Sequence, residues 1–460
     1  MPAAPVIDEP ETKPVDELRG FWSAIKNRMK ETTFRSFRHR NYRLYFAGQM
    51  VSFIGSWMQS AALMWLLYDR TGDPRWPSWL MVATVGPTLL LGTWGGGLAD
   101  RFPKRRLIFL TQSCFLVHAL VLTCLIGFDL LPPWLVLALM AVSGIIQAVD
   151  LPTRLSFVPD LVPKEDLINA IGLNSLLFNS ARAIGPAFAA LLFLLAAQVL
   201  PLFPPGASAV TIGAVTCFGL NAASFVAVLI ALNGIRVPGE ALGASRPRAA
   251  SFWDGFRYLR ERSAMGGLVL VTLLMCIFGW PLLTILPAYT RLNLGLNEQT
   301  YSLLVSAVGG GALIGALTTA TFGKPSRRGQ FLVLGAGVAT IGLFAASAAS
   351  RPEFAAMACA AVGFGLILFL STGQSTLQLA VPDEKRGRVM ALWAMTISAS
   401  APLGHLLAGQ AVTMVGVQPV LMGMAVGTAG CAVFLAAALA LSLRIRLWPV
   451  RFQLDQWVRR

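Results

Sequence analysis

Gln49, Ser52, Ser56 and Gln59 stand 3, 4 and 3 residues apart in an otherwise apolar run, so they share one face of a helix. Ser143 with Gln147, and Ser371 with Gln374 and Gln378, repeat the pattern in two other apolar runs. Trp280 stands before Pro281 at a predicted kink, and a single arginine, Arg182, interrupts a further run just ahead of Gly185-Pro186. Amides, hydroxyls and indoles of this kind hold a solute by hydrogen bonds and stacking; they do not cleave or form bonds. The signatures of bond chemistry are missing: there is no HExxH, GxSxG or Walker loop, and no paired carboxylate lies within an apolar run. The six cysteines all fall in apolar runs, with no CxxC pair and no metal-ligand spacing to a histidine. No catalytic residue, metal site or cofactor is expected, and the chain reads as a binding or conducting protein instead of an enzyme. The polar stripes fit either a solute cavity or hydrogen-bonded contacts between helices.

The elements that carry these residues are membrane spans. The chain of 460 residues has a mean hydropathy of +0.65 and only 13% charged residues. A soluble fold cannot hide that much apolar surface. Apolar runs of about twenty residues cross a bilayer as helices, and twelve are predicted, the first at 44–67 and the last at 419–443. The expected fold class is therefore all-α integral membrane. The predicted divisions are a cytoplasmic N-terminal segment 1–43 with an amphipathic helix, a six-helix bundle 44–232, a linker 233–264, a second six-helix bundle 265–443, and a basic tail 444–460. The linker's "SFWDGFRYLRER" is expected to form a short helix on the membrane surface.

Charge sets the topology. Of the 37 lysines and arginines, 32 fall in the two tails and in the alternate loops on their side. Only four, Arg70, Arg75, Arg291 and Arg351, fall in the opposite loops, and Arg182 lies within a span. The positive-inside rule places both termini in the cytoplasm. The net charge of +15 is accounted for by this asymmetry, with no nucleic-acid partner needed.

One loop is specific in type and spacing. "GGLADRFPKRRL", residues 96–107, resembles the signature loop between spans 2 and 3 of the major facilitator superfamily, with Pro103 where that signature usually has glycine. Residues 148–192, 221–238 and 381–393 look like the exporter branch of that superfamily, which includes the enterobactin exporter and macrolide-efflux-type carriers. The resemblance covers nearly all of residues 35–443. "ARAIGPAFAA", with Gly185 and Pro186, resembles the fifth-span motif of antiporters and efflux carriers.

The resemblance implies two six-helix bundles, alternating access and a small-molecule substrate, in a chain acting as a monomer in the inner membrane. It implies a conformational clasp of Gly96, Asp100, Arg101 and Lys104, with Asp100 facing the start of span 11 near Arg388 and Lys104 facing Asp150. The second half's "GALTTATFGKPSRR" lacks an acid, so the clasp is expected in one half only. By the same analogy Gln49, Gln59, Gln147, Arg182, Trp280, Gln374 and Gln378 line a central cavity. Neutral, partly aromatic stripes suit a large amphiphilic or uncharged solute, so the expected activity is export of a siderophore-, drug- or macrolide-like molecule. Protons are the coupling ion that the resemblance implies, with His405 as a candidate carrier. The alternatives on the same fold are a lysophospholipid flippase and a membrane sensor that does not transport. Arg182 is expected to point into the protein, either as a brace on carbonyls freed by Pro186 or as a contact for an anionic part of the substrate.

Overall fold

A computed structural model of the chain describes residues 34–203, 208–235, 252–323 and 327–447. Among these the fold is all-α, and eleven helices are long and apolar enough to cross a membrane. The helix Arg75–Arg101 is also 27 residues long, but its glycines, tryptophans and threonines lower its hydropathy. It completes the twelve spans expected. Spans 1 to 6 are Arg40–Thr71, Arg75–Arg101, Lys104–Gly127, Pro133–Phe157, Leu167–Val199 and Ala209–Gly234. Span 7 is broken into Ser263–Gly279 and Leu282–Ala288, and ends in a π turn, Tyr289–Asn293. Spans 8 to 12 are Glu298–Phe322, Arg328–Ala348, Pro352–Ala380, Asp383–Val415 and Val417–Leu447.

Local chemistry sets these limits. Gly72 closes span 1 at φ 65°, a conformation open to glycine at no steric cost. Pro133 and Pro352 open spans 4 and 10, where a missing N–H is harmless. The Trp280-Pro281 step breaks span 7 as expected, because proline cannot donate to the preceding turn. Between spans 2 and 3 only Phe102 and Pro103 leave the helix, so the loop is a single tight corner.

The spans form two bundles. In the first half, span 2 packs on span 4, and spans 1 and 3 pack on span 6; in the second, span 10 packs on spans 8 and 9, and span 9 on span 12. The halves meet through spans 5 and 8 and through spans 2 and 11.

The segment 34–39 is tied to the first half. Ser36 Oγ bonds the Asp166 carbonyl at 3.1 Å and Asn169 Oδ1 at 2.8 Å. His39 Nε2 and Arg35 Nε reach the two Asp166 carboxylate oxygens at 2.7 and 2.6 Å. The His39 hydrogen bond, with the nearby arginines, holds the Asp166 carboxyl below the usual range. The amphipathic segment expected before residue 34 and most of the basic tail lie outside the described residues. The linker helix, Phe252–Glu261, buries Tyr258 and Leu259 in the protein, and Lys385 at the start of span 11 sits 4.8 Å over the Tyr258 ring. It therefore docks on the second half as well as lying at the surface.

Candidate functional site

The two halves touch tightly at one end. Trp65 of span 1 is fully buried and stacks on Tyr301 of span 8, with ring centroids 5.3 Å apart. The Asp69 carboxylate of span 1 pairs with the Arg291 guanidinium at the end of span 7, which also lies over the Trp65 ring. Arg70 reinforces the same end within the first half, reaching Asp129 at 2.7 Å and the Leu131 carbonyl at 3.2 Å. Span 11 closes onto span 2 there too, since a Cβ on Gly409 would lie 2.2 Å from Ser78 Oγ. Small residues permit this approach where a side chain would not.

The opposite end is parted. A Cβ built on Gly92 or Gly96 would meet nothing within 4 Å. Asp100 is exposed, and among the described residues no hydrogen bond or ion pair engages its carboxylate. Arg101 is exposed beside it, and Arg388 is only partly buried. The residues implied as a clasp thus sit apart at the open end. Lys104 differs from the expectation in its partner. Its ammonium donates to Asp160 Oδ2 at 2.7 Å and to the Ser156 carbonyl at 2.8 Å. Asp150 is unavailable to it, because that carboxylate is fully buried inside the first half. Asp150 Oδ1 accepts from Thr111 and Gln112, and Oδ2 lies 2.6 Å from Arg154 Nε one helical turn away. A buried carboxylate needs a cation and donors at once, and span 4 supplies the cation from its own face.

Other glycines of these spans pack within their own half. Gly404 meets Ile277 and Pro281 of span 7, and Gly311 and Gly315 meet Ala360 and Phe364 of span 10. Gly185 meets Ile54, Trp57 and Met58 of span 1. Contact across the halves runs instead through Gly409 and Gly309. A Cβ on Gly309 would lie 2.5 Å from the Arg182 carbonyl oxygen. Beside it, Ser306 Oγ donates to the Ala183 carbonyl at 2.6 Å.

Arg182 stands at this crossing, at the base of the cleft. Pro186 removes the N–H that would have bonded the Arg182 carbonyl. Yet the guanidinium does not brace freed carbonyls. It lies 5.0 Å from the Trp57 ring of span 1, 5.5 Å from Phe178 of its own span and 5.2 Å from Trp280 of span 7. Cation–π contacts of this kind contribute roughly 0.5–2 kcal/mol each. Nε and Nη1 are buried with no protein acceptor. Gly185 lets Trp57 approach, and Phe178 precedes Arg182 by one turn, so the cage assembles from three spans and both halves.

Two of the predicted cavity residues are committed elsewhere. Gln49 is fully buried and accepts from Arg154 Nη1 at 3.0 Å. Gln59 accepts from Asn221 of span 6 at 2.6 Å. Both lie on the span 1 face that packs inside the bundle, which is the inter-helix alternative left open by their spacing. Gln374 and Gln378 are exposed, and Gln147 is partly so. His405 is buried, its Nδ1 3.0 Å from Thr284 Oγ1 of span 7.

Comparisons with known proteins follow this architecture. Residues 31–456 match the family described as transmembrane secretion effector. The chain belongs to that family of the major facilitator superfamily. It is 23% identical to macrolide efflux protein A of Streptococcus pyogenes over 389 residues, which is 83% of this chain and 92% of the relative. It is 26% identical to the enterobactin exporter EntS of Salmonella choleraesuis over 387 residues, covering 81% and 86%. Among solved structures it resembles a bacterial homologue of the human lysosomal transporter Spinster, inward-facing and unoccupied, with a TM-score of 0.67 and 13% identity over 86% of this chain and 96% of that one. It also resembles a peptide transporter bound to alafosfalin, with a TM-score of 0.66 and 15% identity over 89% and 95%.

The superfamily fold makes this a secondary transporter, a multi-pass membrane protein that moves a small molecule by alternating access. Family membership explains why two ends of one cleft differ so sharply. It does not name the groups that do the holding: Trp57, Phe178, Asp69, Arg291, Trp65 and Tyr301 carry no motif. Only Phe178 was legible, through its i, i+4 spacing to Arg182.

Proposed function

We propose that the chain exports an amphiphilic small molecule from the cytoplasm. The open end, with Asp100 and the positively charged loops, faces the cytoplasm on the strength of the charge asymmetry. The observation that carries the reading is the cage at the base of the cleft, where Trp57 and Trp280 from opposite halves flank a buried cation. A solute held by both halves is bound differently in each state, which is the requirement for alternating access. Asp100, Arg101, Gly96 and the start of span 11 near Arg388 close the cytoplasmic end in the other state, while the Asp69–Arg291 pair opens. Residues 44–232 and 265–443 are the two bodies that rock, with Gly309 and Gly409 at their contacts. Coupling to protons completes the cycle, with His405 a candidate carrier.

The test is accumulation of labelled drugs and siderophores in a strain stripped of its own pumps. Expression lowers accumulation of at least one amphiphile, and a protonophore abolishes the difference. Unchanged accumulation across the panel, with the protein present in the membrane, sinks the exporter reading and favours the flippase or the sensor.

A further inference from the structure

Among the described residues the carboxylates in ion pairs are held by other cations. Asp69 is held by Arg291, Asp129 by Arg70, Asp150 by Arg154, Asp160 by Lys104 and Asp166 by Arg35. Among the described residues Arg182 takes part in no ion pair, and its Nε and Nη1 are buried with no acceptor. Its charge is met only by the ring contacts to Trp57, Phe178 and Trp280. A guanidinium is planar, and its N–H groups point outward in the plane, where a ring contact does not use them. The ring contacts therefore meet the charge in part and leave Nε and Nη1, each of which forms a fork with Nη2, without an acceptor. That fork matches a carboxylate, sulfonate or phosphate in two parallel hydrogen bonds.

The backbone fixes where the fork sits. Pro186 frees the Arg182 carbonyl, and Gly309 of the other half closes against that oxygen. That contact fixes the backbone from which the Arg182 side chain extends, at the crossing of spans 5 and 8. Gly185, three residues on, holds Trp57 in place. A brace would spend these donors on carbonyls or side-chain oxygens, and no such bond forms.

We infer that Arg182 is an anion receptor, and that the transported solute carries an acidic group on an aromatic or otherwise flat apolar body. The acid meets the guanidinium fork, and the apolar body lies along Trp57 and Trp280. The inference rests on the exporter reading and narrows it from a neutral or unspecified amphiphile to an anionic one. The rings come from both halves, so moving the halves apart dismantles the cage around the charge. The anion is then held tightly in one state and weakly in the other, as a carrier requires.

The test uses the purified full-length chain in detergent and three probes with one apolar body: 2-naphthoate, 2-naphthylmethanol and 2-naphthylmethylammonium. Isothermal titration calorimetry reads their affinities. Naphthoate binds at least about tenfold more tightly than the alcohol, because two hydrogen bonds to an ionised acceptor replace at most one to a neutral hydroxyl, and the ammonium binds weakest. Arg182→Met brings naphthoate down to the affinity of the alcohol. Arg182→Lys keeps part of the preference, since the charge survives without the planar fork. Trp280→Leu weakens all three probes alike. Should Arg182→Met fail to give a monodisperse protein, the wild-type order of the three probes and the Arg182→Lys variant decide. Equal affinity for naphthoate and the alcohol, a preference that survives Arg182→Met, or no binding of any probe overturns the assignment. Efflux in cells without a naphthoate preference sinks this inference alone. A naphthoate preference without efflux sinks the exporter reading alone.

Discussion

The two ends of the cleft are built from different chemistry. At the closed end a buried aromatic pair, Trp65 on Tyr301, lies under an exposed ion pair, Asp69 with Arg291. At the open end an acid, Asp100, has no hydrogen-bond or ion-pair partner among the described residues, and a Cβ on Gly92, Gly96 or Gly97 would touch nothing. One end is held by apolar burial trimmed with charge; the other has charge and small residues awaiting a surface. Burying an aromatic side chain contributes more than an exposed ion pair, which is commonly worth about 0–1 kcal/mol. The difference teaches that the state with the Trp65 end closed is stabilised by packing. The reverse state has to recover that loss from contacts at the Asp100 end and from the solute.

Breaking the packed end has the largest expected effect. Trp65→Ala removes a fully buried indole, a loss of roughly 3–5 kcal/mol. The variant should open the Asp69 end, seen as faster labelling of a cysteine placed at Ser302, buried beside Tyr301, with transport nearly abolished. Labelling at the wild-type rate in a folded variant would show that the aromatic pair does not hold that end shut.

Next is the open end. Asp100→Asn should slow transport by about 5–20-fold, the scale of a 1–2 kcal/mol bias between two states, while equilibrium binding of the solute stays near wild type. Transport at the wild-type rate would remove Asp100 from the clasp.

The ion pair at the closed end comes third. Asp69 and Arg291 are both partly open to solvent, so Asp69→Asn should change the rate by no more than about fivefold. The exchange Asp69→Arg with Arg291→Asp should restore most of it. A loss that the exchange does not repair would assign the effect to the geometry over Trp65, where Arg291 also rests.

The smallest effect is a control within the first half, away from the contacts between the halves. The Asp166 carboxyl is held below its ordinary value, first by the His39 hydrogen bond and then by arginine charge. A depressed carboxylate stabilises the fold above its unfolded pKa, near 3.9, and loses that contribution as pH falls through its lower folded value. Acidifying from pH 6 to 3.5 should therefore lower the thermal midpoint of wild type more than that of Asp166→Asn, by less than about 3 °C. Equal slopes for the two proteins would mean that Asp166 does not anchor the chain start.

Much of the fold was legible because its causes are local sums. A bilayer demands some twenty apolar residues per helix, and each run announces itself without reference to any other. Pro281 breaks span 7 wherever the neighbouring helices stand. The candidate site was half legible. Arg182 was conspicuous because a cation in a span is costly, and Trp280 because it precedes a proline. Gln49 and Gln59 misled because a polar stripe fits a cavity and a buried helix contact equally well. Their partners, Arg154 and Asn221, are 105 and 162 residues away in the chain.

The sequence by itself determined that this protein spans a membrane, how many times, and which loops carry the positive charge. Hydropathy and charge are read by the bilayer one segment at a time. Only the tertiary structure decided who pairs with whom. Lys104 took Asp160, Asp150 took Arg154, and Gly309 and Gly409 came to face the opposite half. The rotation of each helix and the angle at which the halves cross set those choices, and neither is written in the periodicity of any one span. The cage around Arg182 exists for the same reason: it needs spans 1, 5 and 7 together, and the tilt of the two bundles that brings them within reach.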